Sequence, residues 1–525
     1  MGGFTLGLPF ALPIISNASL DEEQPLKNKT FQKIKPKKAK NPNLLFLTLE
    51  GVPLRVLSCY GSKLMETPNI DRIAKEGMQF QNSFCNNALC APSRATLLTG
   101  KYNHLAGQKI NNTYEDDPTT TFYPPDQQTF PKLLKKAGYQ TGMVGKWHLH
   151  QKDGSPINPS EVGFDYFSFK EGAGGPYYDE NGFLENIALD GSTDIRKNSR
   201  SGYITDTMTD LAINGMKKFS KQQKPFLMAM QFFSVHRPFD PPHKYENLFD
   251  EVEFPKPGTF WDDYEDRSSA VRAAHMRLAD MKDFDPPEDY TQKQLQQWNY
   301  QQLMRRFMGA LKALDDNVGK LLDFLDNEGI ADETIVVITG DHGFFLGEHG
   351  WFDKRFMYEP ALRIPWLIRY PGVVKPGIKT EAWVQSIDNA PTILDMLGLP
   401  VPSDMQGKSL MPVFEKDGAI PEEWTDTVYY HYYEFDPPHF VQPNYGIRTE
   451  RFKLIYYYEI NEWELFDLER DPDEMENLFI RRGMEVKKGY EDIAADLIDQ
   501  LKKTRKHYKD QTGKEIEIYP RSQYN

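Results

Sequence analysis

Residues Asn43 to Leu49 read NLLFLTL, an unbroken run of mostly apolar side chains. A strand that is buried on both faces of a parallel sheet has this composition, whereas a half-exposed strand alternates apolar and polar residues. The run is the first of a series in which short apolar strands alternate with helical segments. This α/β pattern predicts a mostly parallel sheet between helices, in which functional groups gather beyond the carboxyl ends of the strands.

The alternation continues through most of the chain. We expect helices and further strands in turn, at residues 70–76 (helix), 78–84 (strand), 131–137 (helix), 140–144 (strand), 205–219 (helix), 225–233 (strand), 291–329 (helix) and 334–339 (strand). Two long segments, 172–201 and 255–289, fit neither element type. Loops of this length are usually functional, and here they are candidates for the walls of a cleft.

Past residue 412 the sequence changes character. Short aromatic runs over 427–434, 445–449 and 452–458 lie at hairpin spacing, and a last helix is expected over 490–507. These runs predict a smaller antiparallel sheet with one helix. We therefore divide the chain into an N-terminal segment (1–40), a catalytic domain (41–413) and a C-terminal α+β subdomain (414–525).

Composition excludes several classes of protein. The chain has 525 residues, of which 39% are hydrophobic. It contains no run near the roughly 20 apolar residues that a membrane span needs. Its formal net charge of −14 disfavours binding to nucleic acid. Three cysteines, Cys59, Cys85 and Cys90, are too few for a disulfide scaffold. An anionic substrate would need a local cluster of cations, because the overall charge opposes it.

The first 40 residues resemble an export signal followed by a linker. Residues 4–19 form an apolar run of roughly secretory length that ends in small residues, although no basic segment precedes it. A plain N-terminal arm that packs on the main domain is the alternative interpretation.

The most informative stretch is Cys90 to Gly100, CAPSRATLLTG. It places a nucleophilic side chain just before a helix, with Arg94 one turn further on. A helix N-terminus favours anions and lowers the pKa of a thiol. A lone cysteine in such a place is more often a buried capping residue. The stretch, however, resembles the maturation signature of type I sulfatases, C-x-P-S-R-x-x-x-L-T-G, at every defined position.

The resemblance implies that a separate maturation enzyme oxidises Cys90 to Cα-formylglycine (3-oxoalanine). The aldehyde hydrates to a geminal diol, one hydroxyl of which attacks sulfur. The other hydroxyl, once deprotonated, expels sulfate and regenerates the aldehyde. An unmodified cysteine or serine would be left as a stable ester. By the same resemblance, Arg94 would hold the hydrate and help to bind the charged groups on the side of the metal ion.

Three further motifs resemble sulfatase elements that contact sulfate. The GKWH motif implies this role for Lys146 and His148, and the GWFDKR motif implies it for Lys354. The HRP motif implies that His236 protonates the leaving alkoxide, a task suited to an imidazole. Taken alone, a lysine at a strand end is usually solvated, and a loop histidine is often only hydrogen-bonded. Together with Arg94 and a metal ion, these groups supply the cations that an anionic substrate requires.

The TGDHG motif resembles the calcium-binding element of the family and implies that Asp341 and His342 are metal ligands, completed by residue 90. Because histidine is an uncommon calcium ligand, His342 is alternatively a neighbour of the ion. Sulfatases usually end their first strand with two adjacent ligands, Asp-Asp or Asp-Gln, where this chain has Glu50 and Gly51. Glu50 is long enough to reach an ion, but Gly51 has no side chain. The predicted calcium site therefore lacks one side-chain ligand. Either water or another carboxylate supplies it, or the affinity of the site for calcium is weak.

The resemblance implies an alkaline-phosphatase-like α/β fold and a calcium-dependent sulfatase. The C-terminal runs, including GIRTERFKL, look most like those of sulfatases that act on sulfated carbohydrates. Glu434, His439 and Asn444 lie between these runs and are candidates to face the sugar, although each is individually more typical of a structural residue. The expected partners are a sulfated oligosaccharide and the maturation enzyme, and the expected location is periplasmic or secreted.

Two alternative functions remain open at this point. A degenerate sulfatase that binds sulfated glycan without hydrolysing it is favoured by the Glu50–Gly51 pair and opposed by the complete maturation signature. A phosphodiesterase on the same fold would generally use a transition metal and more Asp and His ligands than this first strand offers. The sequence also leaves open whether Cys59 and Cys85 form a disulfide.

Overall fold

The computed structural model describes residues 39–111, 127–151, 154–170, 175, 177–178, 183–187, 195–435, 437–481 and 485–516. The export-signal-like run at 4–19 and much of the 172–201 segment lie outside these residues. Among the helices that the structure describes, none combines the length and apolar composition needed to cross a bilayer.

The strands follow the predicted order with small shifts at their ends. They are β1 (Asn43–Leu49), β2 (Met78–Phe84), β3 (Gln140–Lys146), β4 (Tyr166–Lys170), β5 (Phe183–Asn186), β6 (Arg196–Asn198), β7 (Phe226–Gln231), β8 (Thr334–Gly340), β9 (Phe345–Leu346), β10 (Phe352–Asp353), β11 (Trp366–Arg369), β12 (Ile378–Gln385), β13 (Val428–Tyr432), β14 (Asn444–Arg448), β15 (Phe452–Tyr457), β16 (Glu462–Asp467), β17 (Phe479–Ile480) and β18 (Glu485–Val486).

The helices connect these strands. They are α1 (Pro68–Glu76), α2 (Cys90–Thr99), α3 (Asn103–Ala106), α4 (Phe130–Lys136), α5 (Pro159–Val162), α6 (Ile204–Ser220), α7 (Ser269–Ala273), α8 (Gln292–Asn327), α9 (Glu359–Leu362), α10 (Asn389–Met396), α11 (Met411–Phe414) and α12 (Glu491–His507). The longest, α8, begins with a capping box in which the Thr291 side chain accepts from the backbone N–H of Gln294.

Ten of the described strands form one large sheet, in the order β12-β2-β11-β8-β1-β7-β3-β4-β5-β6. Strands β8, β1, β7, β3 and β4 run parallel to one another, while β11, β5 and β6 pair antiparallel with their neighbours. The prediction of a mostly parallel sheet is confirmed. The antiparallel strands lie outside the predicted alternation. Strands β5 and β6 belong to the segment 172–201, which was assigned to neither element type, and β11 follows the last predicted strand and enters the sheet between β2 and β8.

The apolar run at β1 is buried because both of its faces are covered. Leu45 and Leu47 belong to a core shared with α6 and α8, whereas Leu44 and Phe46 belong to the core on the other face, shared with α2, α4 and α10. Successive side chains of a strand point to opposite faces, so a strand with helices on both sides needs apolar residues at every position.

The C-terminal part contains the predicted smaller sheet. Strands β13, β14, β15 and β16 are antiparallel neighbours in chain order, and α12 packs on β14 and β15. One apolar core joins residues of both sheets, including Phe84 and Trp351 from the larger part and Tyr430 and Phe466 from the smaller. This contact brings the β13–β14 connection next to the carboxyl edge of the large sheet.

Candidate active site

Cys90 is the first residue of α2 and is fully buried at the carboxyl edge of the large sheet. Its Sγ lies 3.1 Å from Oε1 of Glu50 and 3.3 Å from Nε2 of His342. Burial and the Glu50 charge oppose ionisation, yet Lys146, Lys354 and His342 lower the pKa of the thiol well below its usual value. The electrostatic field at residue 90 therefore favours an anion.

Arg94 lies one turn into α2 and joins the strand ends around Cys90. Its guanidinium donates to Glu50 Oε2 (2.8 Å) and Asp341 Oδ2 (3.0 Å), and also to the Lys146 carbonyl (2.9 Å) and Gln231 Oε1 (2.6 Å). Gln231, the last residue of β7, is a neighbour that the sequence motifs did not indicate. Arg94 thus holds the two carboxylates in place and neutralises part of their charge.

Lys146, the last residue of β3, forms an ion pair with Glu50 Oε1 at 2.9 Å. His148 follows two residues later, and burial lowers its pKa to about 4, so its imidazole is neutral at neutral pH. His236 follows β7, with Nε2 3.9 Å from Glu50 Oε1 and Nδ1 3.0 Å from the Arg237 carbonyl. Burial and Lys146 lower the pKa of His236. Lys354 is buried and faces the same space.

Four potential metal ligands, one of which is Cys90 itself, meet at the carboxyl edge of the sheet. One ligand atom from each of Glu50, Cys90, Asp341 and His342 lies within 4.8 Å of the others, and all four residues are buried. Parallel strands β1 and β8 pair along their length, so Glu50 and Asp341, each the next residue after its strand, come together. Burial and the nearby Glu50 charge raise the pKa of Asp341 to about 7, whereas the charges around Glu50, Lys146 first, lower its pKa despite burial.

His342 is oriented with one ring nitrogen toward this cluster. Its Nδ1 lies 2.7 Å from the Gly343 carbonyl, which only accepts hydrogen bonds, so Nδ1 carries a proton. Its Nε2 lies 3.6 Å from Glu50 Oε1 and 3.6 Å from Asp341 Oδ1. A backbone carbonyl that fixes the tautomer in this way is typical of metal-binding histidines.

Gly51 explains how the site accommodates that ring. Its backbone N–H donates to Asp341 Oδ1 at 3.1 Å, and a Cβ atom at this position would lie 3.3 Å from His342 Cε1. The residue adopts a positive φ of 59°, a conformation that favours glycine. Gly51 therefore contributes its amide instead of a side chain, and the imidazole lies against the position from which a second acidic side chain would extend.

The donor set suits a divalent cation. The carboxylates of Glu50 and Asp341 are hard ligands of the kind that calcium takes, whereas the Cys90 sulfur and the His342 nitrogen are ligands that calcium uses less often. Calcium binds six to eight oxygens, so waters or a second carboxylate oxygen would complete its shell.

A cavity of about 210 Å³ opens in front of the candidate catalytic side chains. We call it the substrate cavity. Its lining joins the candidate catalytic residues to side chains from the C-terminal part and comprises Asn111, His148, His236, Arg237, Phe239, Phe344, Phe352, Asp353, Lys354, Arg355, Pro437, Pro438 and His439.

Three neighbouring polar side chains of this cavity, Asp353, Arg355 and His439, were not among the predicted catalytic residues. Asp353 Oδ2 lies 2.7 Å from His439 Nε2, and Asp353 Oδ1 lies 2.8 Å from an Arg355 nitrogen. Within the part of the chain that the structure describes, the buried Nε of Arg355 has no hydrogen-bond acceptor. The sequence signal for Asp353 and Arg355 was their position on either side of Lys354 in the GWFDKR motif.

The three candidates to face the sugar have different positions. His439 lines the substrate cavity. Glu434 accepts a hydrogen bond from the backbone N–H of Asn111 at 2.8 Å, and Asn444 is buried in β14.

The remaining cysteines do not form a disulfide. Cys59 and Cys85 are both free thiols, and burial raises the pKa of each. Raised thiol pKa values indicate unreactive, structural cysteines.

Comparison with known families agrees with this geometry. A family model described as Sulfatase matches residues 42–399. The chain belongs to the sulfatase family. A second model, described as N-sulphoglucosamine sulphohydrolase, C-terminal, matches residues 347–507. This sulfatase is therefore an enzyme of the sulfuric ester hydrolase class, as predicted.

Individual relatives cover most of the sulfatase. It is 40% identical to an N-acetylglucosamine-6-O-sulfatase of Bacteroides thetaiotaomicron, over 91% of this chain and 88% of the relative. A solved structure described as a complex with its substrate, D-glucosamine-2-N,6-O-disulfate, is also 40% identical, with a TM-score of 0.81 over 91% of this chain and 100% of that one. A phosphonate monoester hydrolase of Agrobacterium radiobacter shares the fold alone, at 21% identity and a TM-score of 0.66 over 89% and 96% of the two chains. The alkaline-phosphatase-like fold is confirmed.

Proposed function

We propose that this sulfatase removes the 6-O-sulfate from a terminal glucosamine-type residue of a sulfated glycan, using formylglycine formed from Cys90 and a bound calcium ion. The proposal rests on the substrate cavity, in which catalytic residues for sulfate and a polar group suited to sugar hydroxyls face each other. The relative named as an N-acetylglucosamine-6-O-sulfatase supports the choice of sugar and sulfate position.

The size and walls of the cavity favour a single sugar unit. Its volume of about 210 Å³ is below the roughly 300–1,000 Å³ of pockets that hold drug-sized ligands. The Asp353 carboxylate accepts hydrogen bonds and the Arg355 guanidinium donates them, so together they suit two neighbouring hydroxyl groups. A primary sulfate at C6 extends from the ring and reaches the nucleophile while the ring itself stays in the cavity.

On the sulfate side, the cations of the chain hold the anion. Lys146 and Lys354 lie near residue 90, where their charges already favour an anion, and the same field stabilises the negative charge that develops on sulfate oxygens in the transition state. Formylglycine at position 90 would supply, as its hydrate, the hydroxyl that attacks sulfur. Glu50, Asp341 and His342 would hold a calcium ion, which would add positive charge on this side of the cavity.

Two histidines divide the proton transfers. His148 is neutral at neutral pH, because burial lowers its pKa to about 4, and a neutral imidazole accepts a proton from residue 90. His236 would donate a proton to the leaving sugar oxygen. Burial and Lys146 lower its pKa in the free enzyme, and the negative charge of a bound sulfate raises it again, which favours the acid form when substrate is present.

The location of Cys90 also supports a separate maturation enzyme. The side chain is 0% exposed, so an oxidising enzyme reaches it only before the chain has folded. A polymeric sulfated glycan is an extracellular substrate, and we accordingly propose a periplasmic or secreted location.

Positional isomers test the proposed substrate. The matured protein would be incubated with N-acetylglucosamine sulfated at O3, at O4 or at O6, and with galactose 6-sulfate, and sulfate release would be followed by ion chromatography. We expect turnover of the 6-O-sulfated glucosamine at least tenfold above the others. Equal rates on all four sugars, or a preference for another isomer, would contradict the proposal.

A further inference from the structure

A second and larger cavity adjoins the substrate cavity. It has a volume of about 930 Å³ and is lined by Lys109, Ile110, Tyr433, Glu434, Phe435, Pro437, Gln442, Pro443, Tyr458, Glu459, Ile460, Thr512 and Gly513. We call it the outer cavity. Pro437 lines both cavities, and the hydrogen bond from the Asn111 backbone to Glu434 lies between them. A substituent that leaves the substrate cavity past Pro437 therefore enters the outer one.

Aromatic side chains form part of the outer cavity. Tyr433 stacks on the His431 ring at 3.7 Å, which fixes its orientation. Phe435 is 50% exposed, an unusual degree for a large apolar side chain, and Tyr458 is nearly buried beside it in the lining. Aromatic faces with a few polar groups at their edges are typical of small-ligand sites, and the C–H face of a sugar ring packs on such a surface.

The charges of the two cavities differ. The described lining of the substrate cavity carries Arg237, Lys354 and Arg355 against the single carboxylate of Asp353. The described lining of the outer cavity carries Lys109 against Glu434 and Glu459, and Glu459 is paired with Lys514 at 2.7 Å. The Lys109 ammonium lies 6.0 Å from the centre of the Tyr433 ring. Among its described lining residues, the outer cavity thus has no excess of cations to offer a carboxylate or a second sulfate.

We propose that the outer cavity binds a neutral sugar residue linked to the sulfated terminal one, and that it selects against a uronic acid in that position. The inference rests on the proposed function, because it assigns the neighbouring residue of the same glycan. Hydroxyl groups of a neutral hexose would find acceptors in Glu434 and Glu459 and a donor in Gln442. A hexuronate would place its carboxylate near the Glu434 carboxylate, where like charges repel, whereas Lys514 offsets part of the charge of Glu459.

Three substrates test this assignment on the matured, metal-loaded protein. They are N-acetylglucosamine 6-sulfate alone, the same unit linked to galactose, and the same unit linked to a hexuronate. We expect kcat/KM to be about tenfold higher for the galactose disaccharide than for the monosaccharide, the effect of one aromatic contact. The hexuronate disaccharide should show no gain over the monosaccharide.

A matched pair of variants locates the effect. Phe435→Ala should abolish the advantage of the galactose disaccharide and leave kcat/KM for the monosaccharide within about twofold. Trp261→Ala removes another exposed aromatic side chain, which is absent from both cavity linings, and should keep the full advantage. Glu459→Lys should raise kcat/KM for the hexuronate disaccharide several-fold, whereas Glu251→Lys on the exposed surface should not.

The outcomes separate the two proposals. No turnover of the monosaccharide would contradict the proposed function itself. Turnover of the monosaccharide with equal kcat/KM for all three substrates, unchanged in Phe435→Ala, would overturn the outer cavity as a sugar site. A preference for the hexuronate disaccharide would overturn the assignment of a neutral residue.

Discussion

The two walls of the substrate cavity are built in different ways. The sulfate-facing wall uses residues at the ends of β1, β3, β7 and β8 and at the start of α2, all of which meet at one edge of a rigid parallel sheet. The sugar-facing wall uses Asp353, the last residue of β10, Arg355 two residues further on and His439 from the β13–β14 connection. Sheet topology thus positions the reaction that sulfatases share, whereas loops position the groups that would choose the sugar.

The loop on the sugar side is held in a strained conformation. Asp353 and Arg355 have φ values of 80° and 96°, which side-chain-bearing residues rarely adopt, at a cost of about 1–3 kcal/mol each. The Arg355 carbonyl accepts from the Tyr430 hydroxyl at 2.7 Å, and Asp353 pairs with His439. Contacts with the C-terminal sheet therefore stabilise the conformation that presents both side chains to the cavity.

The comparison predicts that a change on the sulfate side affects the chemical step most strongly. For His236→Ala we expect kcat on a sugar sulfate to fall by about 10²–10⁴-fold, because the leaving alkoxide loses its acid, while KM changes little. Nitrophenyl sulfate, whose leaving group needs no proton, should lose far less. An equal loss on both substrates would remove His236 from the role of acid.

The proposed metal site lies on the same wall, and Glu50→Gln tests it. The variant keeps the size of the side chain but removes a charge that is 2.8 Å from Arg94 and 2.9 Å from Lys146. We expect calcium affinity, measured by calorimetry, to fall by about 10–100-fold. Unchanged affinity would show that Glu50 only pairs with these two cations and is no metal ligand.

A change on the sugar side should act on binding instead. His439→Ala leaves the Asp353 carboxylate without one partner, and we expect kcat/KM on N-acetylglucosamine 6-sulfate to fall by roughly tenfold, mostly through KM. Activity on nitrophenyl sulfate, which lacks the sugar hydroxyls, should stay within about twofold. A parallel loss on both substrates would mean that the two walls are not separable.

Gly51→Ala should give the smallest effect. A side chain at φ 59° costs about 1–2 kcal/mol, and its Cβ atom would press on His342 at 3.3 Å. We expect a slightly lower Tm by calorimetry and a few-fold weaker metal affinity. Binding of the sugar, measured with Gly51→Ala in the inactive Cys90→Ala background, should be unchanged. A rise in metal affinity would contradict the idea that Gly51 makes room for the imidazole.

The sequence predicted much of the first wall and little of the second, for physical reasons. Apolar runs such as β1 specify a strand buried on both faces, and the resemblance to sulfatase motifs implied that Glu50 and Asp341 share a metal site. The two residues meet because parallel strands place their carboxyl ends together. Asp353, Arg355 and His439 are brought together by left-handed backbone and by packing between two sheets, neither of which has a periodic pattern. The approach of His342 to Gly51 is likewise a three-dimensional contact. The domain boundary near residue 413 stays a prediction.

The most direct test of the account is sulfate release from N-acetylglucosamine 6-sulfate by protein co-expressed with a maturation enzyme. Mass spectrometry would first confirm formylglycine at position 90, and ion chromatography would then measure sulfate, with Cys90→Ala as the control. We expect release from the modified protein that is abolished in Cys90→Ala. Absence of release from fully modified, calcium-loaded protein, or equal release from the Cys90→Ala variant, would contradict it.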